Sequence, residues 1–590
     1  MPSSSKPKFK LPLREYAGLL AQYLIPQWPA MTALALLLLS GITMQLISPQ
    51  LIRFFLDTAQ SGHGGERLMQ AALWFIGLSL LTQIVRVIAA YIGENVGWTA
   101  TNRLRSEVAA HCLKLDMSFH KKHTSGSIIE RVDGDINALG NFFSNFVILL
   151  VSNMVLMAGI LILLFRENIL IGAVMTVFVV FALVVIQRIR RYAAPMWSKM
   201  RQISAEFYGF LGEHLEGTED TRANGATAYV MHRFHSLLRT WLPIRIRAFF
   251  GFAAMWITAI VVFALGNAMA FGISAYLWRQ GSITIGAVYM VFHYTELLAQ
   301  PIEKIRQQLE DLQKADASIT RIRELLATQS LIRDGGNPFK LPEGPLSVEF
   351  RNVTFGYEED SATLKGLNFR LEPGKVLGLL GRTGSGKSTT ARLLLRFYDP
   401  GEGAILLGGT DIREVRLHDL RSRIGFVTQN IEIFQGTVRD NLTFYDSAIA
   451  DSLIRQVLEE LGLGNWLAAL PQGLDTLLES GGGGLSAGEA QLLAFARVFL
   501  KNPGLVVLDE ASSRLDPATE QLLERAVSKL LKDRTCIIIA HRLSTIQRAD
   551  DILMLDDGRI AEHGRRLALL ADPGSRFSRV MEAGLEEVLA

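Results

Sequence analysis

The sequence has few cysteines and little net charge. Cys112 and Cys536 are the two cysteines among 590 residues, and neither belongs to a Cys-x-x-Cys pair. Neither a disulfide framework nor a cysteine zinc site is therefore expected. The formal net charge of +3 is too small to indicate a nucleic-acid partner. What the chain has instead is length and apolar residues, at 49% of the composition. A chain this long predicts two or more domains, because one core does not grow to that size.

The N-terminal half contains long runs without a charged residue. A helix needs about 20 mostly apolar residues to cross a bilayer. By this measure the sequence predicts six membrane spans, at 29–54, 68–92, 143–165, 168–187, 248–278 and 283–305. Buried helices of a soluble protein could imitate one or two such runs, but not six. We therefore expect an all-α six-helix transmembrane domain at 29–320, preceded by a basic segment and an elbow helix at 1–28.

Lysine and arginine are concentrated in two segments between the predicted spans, 99–142 and 188–246. The other connections are short and hold few basic residues. Because basic loops stay on the cytoplasmic side of a membrane, both segments and both termini are expected in the cytoplasm. The protein is expected to be a multi-pass protein of the cell membrane (inner or plasma membrane).

Polar residues inside the predicted spans leave alternatives open. Glu296 interrupts the sixth span at a depth of about 20 Å, where a carboxylate often marks a transport pathway. It could equally pair with a cation or face a wet cavity. Arg86 can extend its side chain to the interface. Asn267 is better explained by a hydrogen bond between helices than by a ligand contact.

The composition changes after a linker rich in proline and glycine, which we place at 321–345. From residue 346 to 590, apolar β-rich runs alternate with helical patterns. This alternation predicts an α/β domain with a largely parallel sheet.

One run in this domain matches the phosphate-binding pattern G-x-x-x-x-G-K-[ST] at every position: Gly381, Arg382, Thr383, Gly384, Ser385, Gly386, Lys387 and Ser388. The preceding residues 376–380 predict a buried strand, and 389–397 predict a helix. Glycines here let backbone N–H groups approach phosphate oxygens at a helix N-terminus. Lys387 is expected to reach the β- and γ-phosphates and Ser388 to ligate Mg²⁺. A chance glycine-rich turn is the alternative, and the strand–loop–helix context disfavours it. The run predicts a nucleoside triphosphate site.

Two further apolar runs predict strands that end in side chains suited to phosphate chemistry. Residues 505–508 are followed by Asp509 and Glu510, and residues 536–540 by His541. An acid at the first position can hold Mg²⁺ and the next can polarise the attacking water. His541 can contact the γ-phosphate. A lone histidine is more often structural, but its place at a strand end favours the functional interpretation.

Residues 485–489 read Leu-Ser-Ala-Gly-Glu and precede a helical pattern at 490–500. Ser486 and Glu489 have the spacing of a capping box, in which each side chain bonds the other residue's backbone N–H. The capping box accounts for these two side chains but not for the four glycines at 481–484, which indicate a close backbone approach.

In this order, the motifs resemble those of half-transporters of the ABC exporter family, over about residues 10–585. The resemblance implies an α/β P-loop ABC ATPase domain that binds ATP and Mg²⁺. It implies that Tyr357 stacks on adenine, that Thr389 belongs to the phosphate site, and that Gln429 senses Mg²⁺. Residues 485–489 would be the signature motif L-S-G-G-Q, with Ser486 and Gly488 facing nucleotide. Glu510 would be the hydrolytic base, with Asp509 beside it on the metal, and His541 the switch histidine. The remaining correspondences are the D-loop at 513–516, Glu479 in a cross-over loop, and coupling helices at 119–135 and 216–229.

The resemblance also implies a dimer, because the signature helix of a second ATPase domain closes the site over the phosphate loop. Here two motifs depart from the family pattern. In the signature, Ala487 replaces a glycine and Glu489 replaces glutamine, and in the D-loop Arg514 replaces the usual alanine. We therefore expect a heterodimer with a second half-transporter and two unequal sites. The alternative is a homodimer that tolerates these changes.

The sequence thus predicts an ATP-driven exporter subunit that moves a hydrophobic or amphipathic solute outward through a lipid bilayer. An importer of the same fold is a second interpretation. A nucleotide-gated channel or regulatory membrane protein is a third, which intact Glu510 and His541 disfavour. The motifs do not identify the solute.

Overall fold

The structure is a computed structural model that describes residues 18, 21–62, 65–141, 147–334, 341–358, 361–429, 431–509, 517–539 and 546–583. Inside these ranges, the side chains of 141, 147–150, 305–315, 517–518 and 583 are not described. The chain divides into two compact units. The N-terminal unit is Met1–Leu113 with Ser125–Thr328, and the C-terminal unit is Lys114–Thr124 with Gln329–Ala590. The basic segment and most of the elbow helix predicted at 1–28 lie outside the described residues.

Up to residue 327, the described part of the chain is mainly α-helical. In chain order they are α1 (Trp28–Gln60), α2 (Gly65–Lys114), α3 (Met117–Lys122), α4 (Ser125–Ile129), α5 (Ile136–Asn141), α6 (Val147–Glu167), α7 (Ile169–Glu216), α8 (Thr218–Ala223), α9 (Thr227–Arg279) and α10 (Ile285–Ala327). Asn168 and Thr284 cap α7 and α10, since each side chain accepts a hydrogen bond from a backbone N–H of the first turn. Such caps satisfy donors that a helix start leaves unpaired.

Each of the six predicted spans overlaps one long helix, so the helical transmembrane architecture is confirmed. Among the described residues, four stretches are long and apolar enough to cross a membrane: Ala21–Gln60, Gly65–Lys114, Ile169–Glu216 and Thr227–Arg279. The span predicted at 143–165 begins outside the described residues. The sixth, in α10, contains Glu296 as expected. The helix α10 continues to Ala327, so the first residues of the segment predicted as a linker are helical, and residues 335–340 lie outside the described ranges.

The core of the N-terminal unit lies where α6, α7, α9 and α10 meet. Ile160, Met175, Ala270 and Met290 are buried there. A Cβ on Gly266 would collide with the ring of Phe178, so glycine allows α7 and α9 to approach closely. Asn267 has a buried side-chain oxygen without a hydrogen-bond partner within the described ranges, so this oxygen takes no part in the interhelical bond predicted for Asn267. Glu296 is exposed, and it forms no ion pair with any side chain that the structure describes.

The described part of the C-terminal unit contains three sheets, of six, four and two strands. Its strands are β1 (Val348–Phe355), β2 (Leu364–Leu371), β3 (Val376–Gly381), β4 (Glu402–Leu407), β5 (Thr410–Asp411), β6 (Ile424–Val427), β7 (Gly436–Thr437), β8 (Leu477–Leu478), β9 (Leu505–Asp509), β10 (Thr535–Ile539), β11 (Asp551–Asp556) and β12 (Arg559–Arg565). The larger sheet has the order β12-β11-β3-β10-β9-β6. Its strands are parallel except for β12, which confirms the predicted α/β domain. A separate antiparallel sheet, β2-β1-β4-β5, was not predicted.

Helices cover the larger, mostly parallel sheet on both faces. They are α11 (Lys387–Leu394), α12 (Leu417–Ser422), α13 (Val438–Thr443), α14 (Asp451–Glu460), α15 (Gly464–Ala469), α16 (Ala487–Lys501), α17 (Pro517–Leu531), α18 (Arg566–Ala571) and α19 (Arg576–Ala583). The unit has two cores: α11 packs into one with β1 and β2, and α16 packs into the other with α13 and α14. The two predicted motif helices therefore lie in different parts of the unit.

Candidate nucleotide site

The phosphate loop joins the end of β3 to the start of α11. All six residues of β3 are buried, as the apolar run predicted. Gly384 and Gly386 adopt φ angles of 84° and 107°, a left-handed conformation that favours glycine. Gly386 immediately precedes α11 and offers no side-chain cap. The first backbone N–H groups of α11 are therefore left for an anion, as at other helix N-termini.

Lys387 is folded over this loop. Its side chain is buried, and Nζ donates hydrogen bonds to the carbonyl oxygens of Gly381 at 2.6 Å and Arg382 at 3.0 Å. Burial lowers the pKa of Lys387, and the negative charge of Asp509 partly opposes this. The loop thus holds its cation in place through its own carbonyl groups.

Two hydroxyl groups of the loop are placed to receive a ligand. Ser385 is 4% exposed, and its Oγ has no hydrogen-bond partner within the described ranges. A buried hydroxyl without a partner is costly, so a phosphate oxygen would satisfy it. Ser388 is half-buried and its hydroxyl bonds no residue that the structure describes. The apex, formed by Arg382, Thr383 and Gly384, is exposed.

Tyr357, which the resemblance implies stacks on adenine, lies beside the loop. Its hydroxyl is 3.2 Å from Thr389 Oγ1 and accepts a hydrogen bond of 3.1 Å from Arg392. This hydrogen bond raises the pKa of Arg392 above its usual value, although burial opposes it. The rings of Phe355 and Tyr398 pack nearly perpendicular to the Tyr357 ring. The contacts fix the ring next to the first turn of α11.

The strand ends bring Asp509 to the same edge of the sheet. The strand β9 pairs in parallel with β10, and β10 with β3, so their carboxyl ends meet beside the loop. The neighbouring β6 ends at Val427 opposite Leu508, and Gln429 follows it as an exposed residue. Glu510 and His541, with the D-loop residues 513–516, lie outside the described residues; β9 ends directly before Glu510, and β10 ends two residues before His541.

The predicted capping box at the start of α16 is confirmed. Ser486 Oγ accepts a hydrogen bond from the backbone N–H of Glu489 at 3.2 Å. In return, a Glu489 carboxylate oxygen accepts one from the backbone N–H of Ser486 at 2.7 Å. Ser486 and Ala487 are exposed, whereas Gly488 is buried.

The glycine run before Ser486 forms a turn. Gly481, Gly482 and Gly484 have φ angles of 75°, 79° and 87°, and the N–H of Gly481 donates to the carbonyl oxygen of Ile433 at 3.0 Å. Three of the four glycines are thus favoured by backbone conformation within the chain itself, which the sequence interpretation did not foresee.

The structure brings Tyr357, the phosphate loop and Asp509 together but keeps the signature residues apart from them. Within the described ranges, no hydrogen bond or ion pair joins residues 485–489 to residues 381–389. Two contacts of Tyr357 were missed from the sequence: Arg392 and Lys121. Arg392 could have been found, because it is three residues after Thr389 and so shares its helix face. Lys121 could not, because nothing in the sequence pairs it with Tyr357.

Known proteins share both parts of this architecture. Residues 31–302 match the ABC transporter transmembrane region, and residues 364–513 match the ABC transporter family. An uncharacterized ABC transporter ATP-binding protein of Bacillus subtilis is 31% identical over 91% of this chain and 89% of its own length. An ATP-dependent lipid A-core flippase of Saccharophagus degradans is 30% identical over 91% and 92%. The solved structure of a bacterial Atm1-family ABC exporter with ATP bound has a TM-score of 0.77 at 28% identity, covering 94% of this chain and 98% of that one.

These matches extend over both the helical region and the ATPase region. The relatives therefore carry both regions in a single chain, as this protein does. The chain belongs to the ABC transporter family as an exporter-type half-transporter, a multi-pass membrane protein that couples ATP hydrolysis to transport.

Proposed function

We propose that the chain is one subunit of a heterodimeric exporter with two unequal ATP sites, located in the cell membrane with both termini in the cytoplasm. Its ATPase domain would occupy 346–590. The observation that carries the proposal is the contrast between an intact phosphate loop and a signature helix whose start is closed by its own carboxylate. The chain would supply the loop of one site and the signature of the other.

On the loop side, each group has a distinct task. Tyr357 stacks on the adenine. The N–H groups of α11, the Ser385 hydroxyl and Lys387 hold the phosphates. The described residues contain no cluster of three or more His, Cys, Asp or Glu side chains that could hold a metal alone. This fits Mg²⁺, which binds through one or two protein ligands together with substrate phosphates. Ser388, Asp509 and Gln429 would hold it, and when bound it neutralises charge on the phosphates.

For hydrolysis, Glu510 would orient and polarise the attacking water, and His541 would contact the γ-phosphate. Both follow strands that end at the edge of the sheet where the loop lies, which supports their assignment. A second ATPase domain is required, because the signature helix of this chain packs into a different core from its own loop. Closure of two domains around ATP, and their release after hydrolysis, would bias the transmembrane helices between inward and outward openings.

On the signature side, two substitutions weaken the helix start as a phosphate ligand. The methyl group of Ala487 is exposed at the surface that would approach the partner's nucleotide. The Glu489 carboxylate bonds the N–H of Ser486 and places negative charge where a phosphate would bind. The site that this signature covers would therefore be the weaker of the two.

A hydrophobic or amphipathic solute suits the N-terminal unit. A cavity of about 520 Å³ lies between α7, α9 and α10. Its wall is mostly apolar and aromatic, with polar and charged groups at one part: Ile186, Ile189, Phe252, Met255, Trp256, Ala259, Phe263, Ala299, Gln300, Glu303 and Lys304. Pockets of this composition bind apolar ligands and orient them by a few polar groups.

ATP turnover by the purified chain in lipid nanodiscs tests the proposal. We expect the chain alone to bind the non-hydrolysable analogue AMP-PNP but to hydrolyse ATP slowly, because every site it can form with itself contains the altered signature. Brisk hydrolysis by a pure homodimer would contradict the heterodimer. Failure to bind AMP-PNP would instead contradict the assignment of the loop.

A further inference from the structure

The short helix α3 belongs to the C-terminal unit although it lies far from that unit in sequence. Residues Lys114–Thr124 group with Gln329–Ala590. Asp116 caps α3 by accepting hydrogen bonds from the backbone N–H groups of Ser118 and Phe119. The same carboxylate accepts hydrogen bonds from the backbone N–H of Leu331 at 2.6 Å and the hydroxyl of Ser330 at 3.2 Å. One side chain therefore fixes both the start of α3 and its attachment.

The rest of α3 is oriented by packing. Phe119 is 8% exposed, and its ring stacks on that of His123 with centroids 4.3 Å apart. Lys121 and Lys122 follow on the same turn, and both are exposed. Because Asp116 and Phe119 hold the helix, the direction in which Lys121 projects is set by the fold.

Lys121 projects onto the ring of Tyr357. Its ammonium lies 4.0 Å from the ring centroid, well inside the range of a cation–π interaction. No carboxylate within the described ranges forms an ion pair with it. The Tyr357 hydroxyl is held by Thr389 and Arg392, and Phe355 and Tyr398 pack against the ring. The ring therefore cannot turn freely to offer a different surface.

We propose that Lys121 occupies the face of Tyr357 on which adenine stacks, so that ATP must displace it and the segment Lys114–Thr124 responds to the nucleotide directly. This inference rests on the adenine-stacking role given to Tyr357 under Proposed function. Binding of the base would remove one contact that holds α3, and the loss would be felt in the segment that connects α2 to α4.

The direction in which ATP affinity changes when Lys121 is removed distinguishes competition for the ring from simple attraction of the triphosphate. A lysine near a triphosphate attracts it, so removal of the charge should weaken ATP binding. If Lys121 must leave the ring before the base can stack, removal should strengthen binding instead. A cation–π contact of ordinary strength corresponds to an increase in affinity of about two- to fivefold.

The test is equilibrium binding of Mg-AMP-PNP to the full-length chain in nanodiscs, with Lys121→Ala compared with wild type. Lys122→Ala is the matched control, since it removes the same charge one residue away. We expect Lys121→Ala to bind about two- to fivefold more tightly and Lys122→Ala to be unchanged or weaker. Lys121→Arg should behave like wild type, because arginine also stacks on aromatic rings.

Two further arms make the result specific to the base. Mg-tripolyphosphate, which has no base to stack, should not bind more tightly to Lys121→Ala. In a Tyr357→Ala background, Lys121→Ala should have no additional effect. The inference is overturned if Lys121→Ala leaves AMP-PNP affinity unchanged or lowers it, or if tripolyphosphate affinity rises equally. If wild type binds no AMP-PNP at all, the proposed function fails, which is a different outcome.

Discussion

The helices α11 and α16 both begin after glycines, yet their N-termini differ in what they offer. At α11 the preceding residue is Gly386, no side chain caps the helix, and Lys387 lies over the loop. At α16 the side chains of Ser486 and Glu489 satisfy each other's backbone N–H groups. A helix start with open donors and a nearby cation attracts an anion, whereas one that already holds a carboxylate repels it.

The difference shows that local stability and ligand binding compete at the same atoms. A capping box stabilises a helix start by using donors that a phosphate would otherwise use. An uncapped start leaves those donors unpaired until the ligand arrives. In this chain the phosphate loop keeps its donors, whereas the start of the signature helix holds a carboxylate. The unequal sites of the proposed heterodimer follow from that negative charge together with the methyl group of Ala487.

The largest expected effect comes from removing the proposed base while leaving both helix starts intact. Glu510→Gln should retain AMP-PNP binding and lower ATP turnover by about 100-fold or more, because general-base catalysis contributes at least that much. Steady-state hydrolysis by the assembled transporter measures it. Glu524→Gln, at an exposed carboxylate paired with Arg548, is the matched control. Normal turnover by Glu510→Gln would mean that another group activates the water.

Loss of the lysine in the loop should have the next largest effect. It tests whether the start of α11 binds the nucleotide. Lys387→Ala should weaken AMP-PNP binding by about 10- to 150-fold, the range for losing a hydrogen bond to a charged group. Lys375→Ala serves as control, because Lys375 pairs with Asp550 at the surface. Equal affinities for wild type and Lys387→Ala would remove the loop from the site.

A smaller effect is expected at Asp116, which caps α3 and lies at the start of neither α11 nor α16. Asp116→Ala should raise hydrogen exchange at the amides of Ser118, Phe119 and Leu331 by about two- to 30-fold, the range for losing a helix cap. Asp133→Ala, at an exposed carboxylate paired with Arg105, should leave those amides unchanged. Unaltered exchange in Asp116→Ala would show that other contacts hold α3.

The same carboxylate gives a pH dependence. Burial would raise the pKa of Asp116, but hydrogen bonds from Leu331, Phe119, Ser118 and Ser330 outweigh it and lower the pKa below its usual value. A carboxyl group with a lowered pKa stabilises the fold fully above its unfolded-state pKa, about 3.9. The contribution is lost as the pH falls through the lowered pKa. Exchange at these amides should therefore be insensitive to Asp116 ionisation near neutral pH, after correction for intrinsic rates, and increase only in acid.

Much of the C-terminal unit could be predicted because its signals are local. The apolar run that became β3, the glycines of the loop and the Ser486–Glu489 spacing each decide a structure within ten residues. The antiparallel sheet was missed because its strands gave no motif, and their pairing joins segments distant in sequence. Its first strand does alternate: Val348 and Phe350 are buried while Glu349 is not.

In the N-terminal unit, the helices could be predicted from the sequence but their packing could not. Its spans followed from hydrophobicity alone, but the contacts between them did not. Gly266 against Phe178 and the arrangement of Asn267 depend on how α7 and α9 pack, which no periodicity reveals. The contact between Lys121 and Tyr357 is the clearest case, since it requires a short helix to join the distant C-terminal unit.

The most direct test of the account restores the signature of this chain. Ala487→Gly with Glu489→Gln removes the methyl group and the negative charge, while glutamine can still complete the capping box. ATP turnover by the chain alone in nanodiscs should rise about threefold or more above wild type, and adding Glu510→Gln should abolish the gain. Turnover that stays equal to wild type, or falls, while AMP-PNP binding is retained would contradict the claim that the start of α16 makes the two sites unequal.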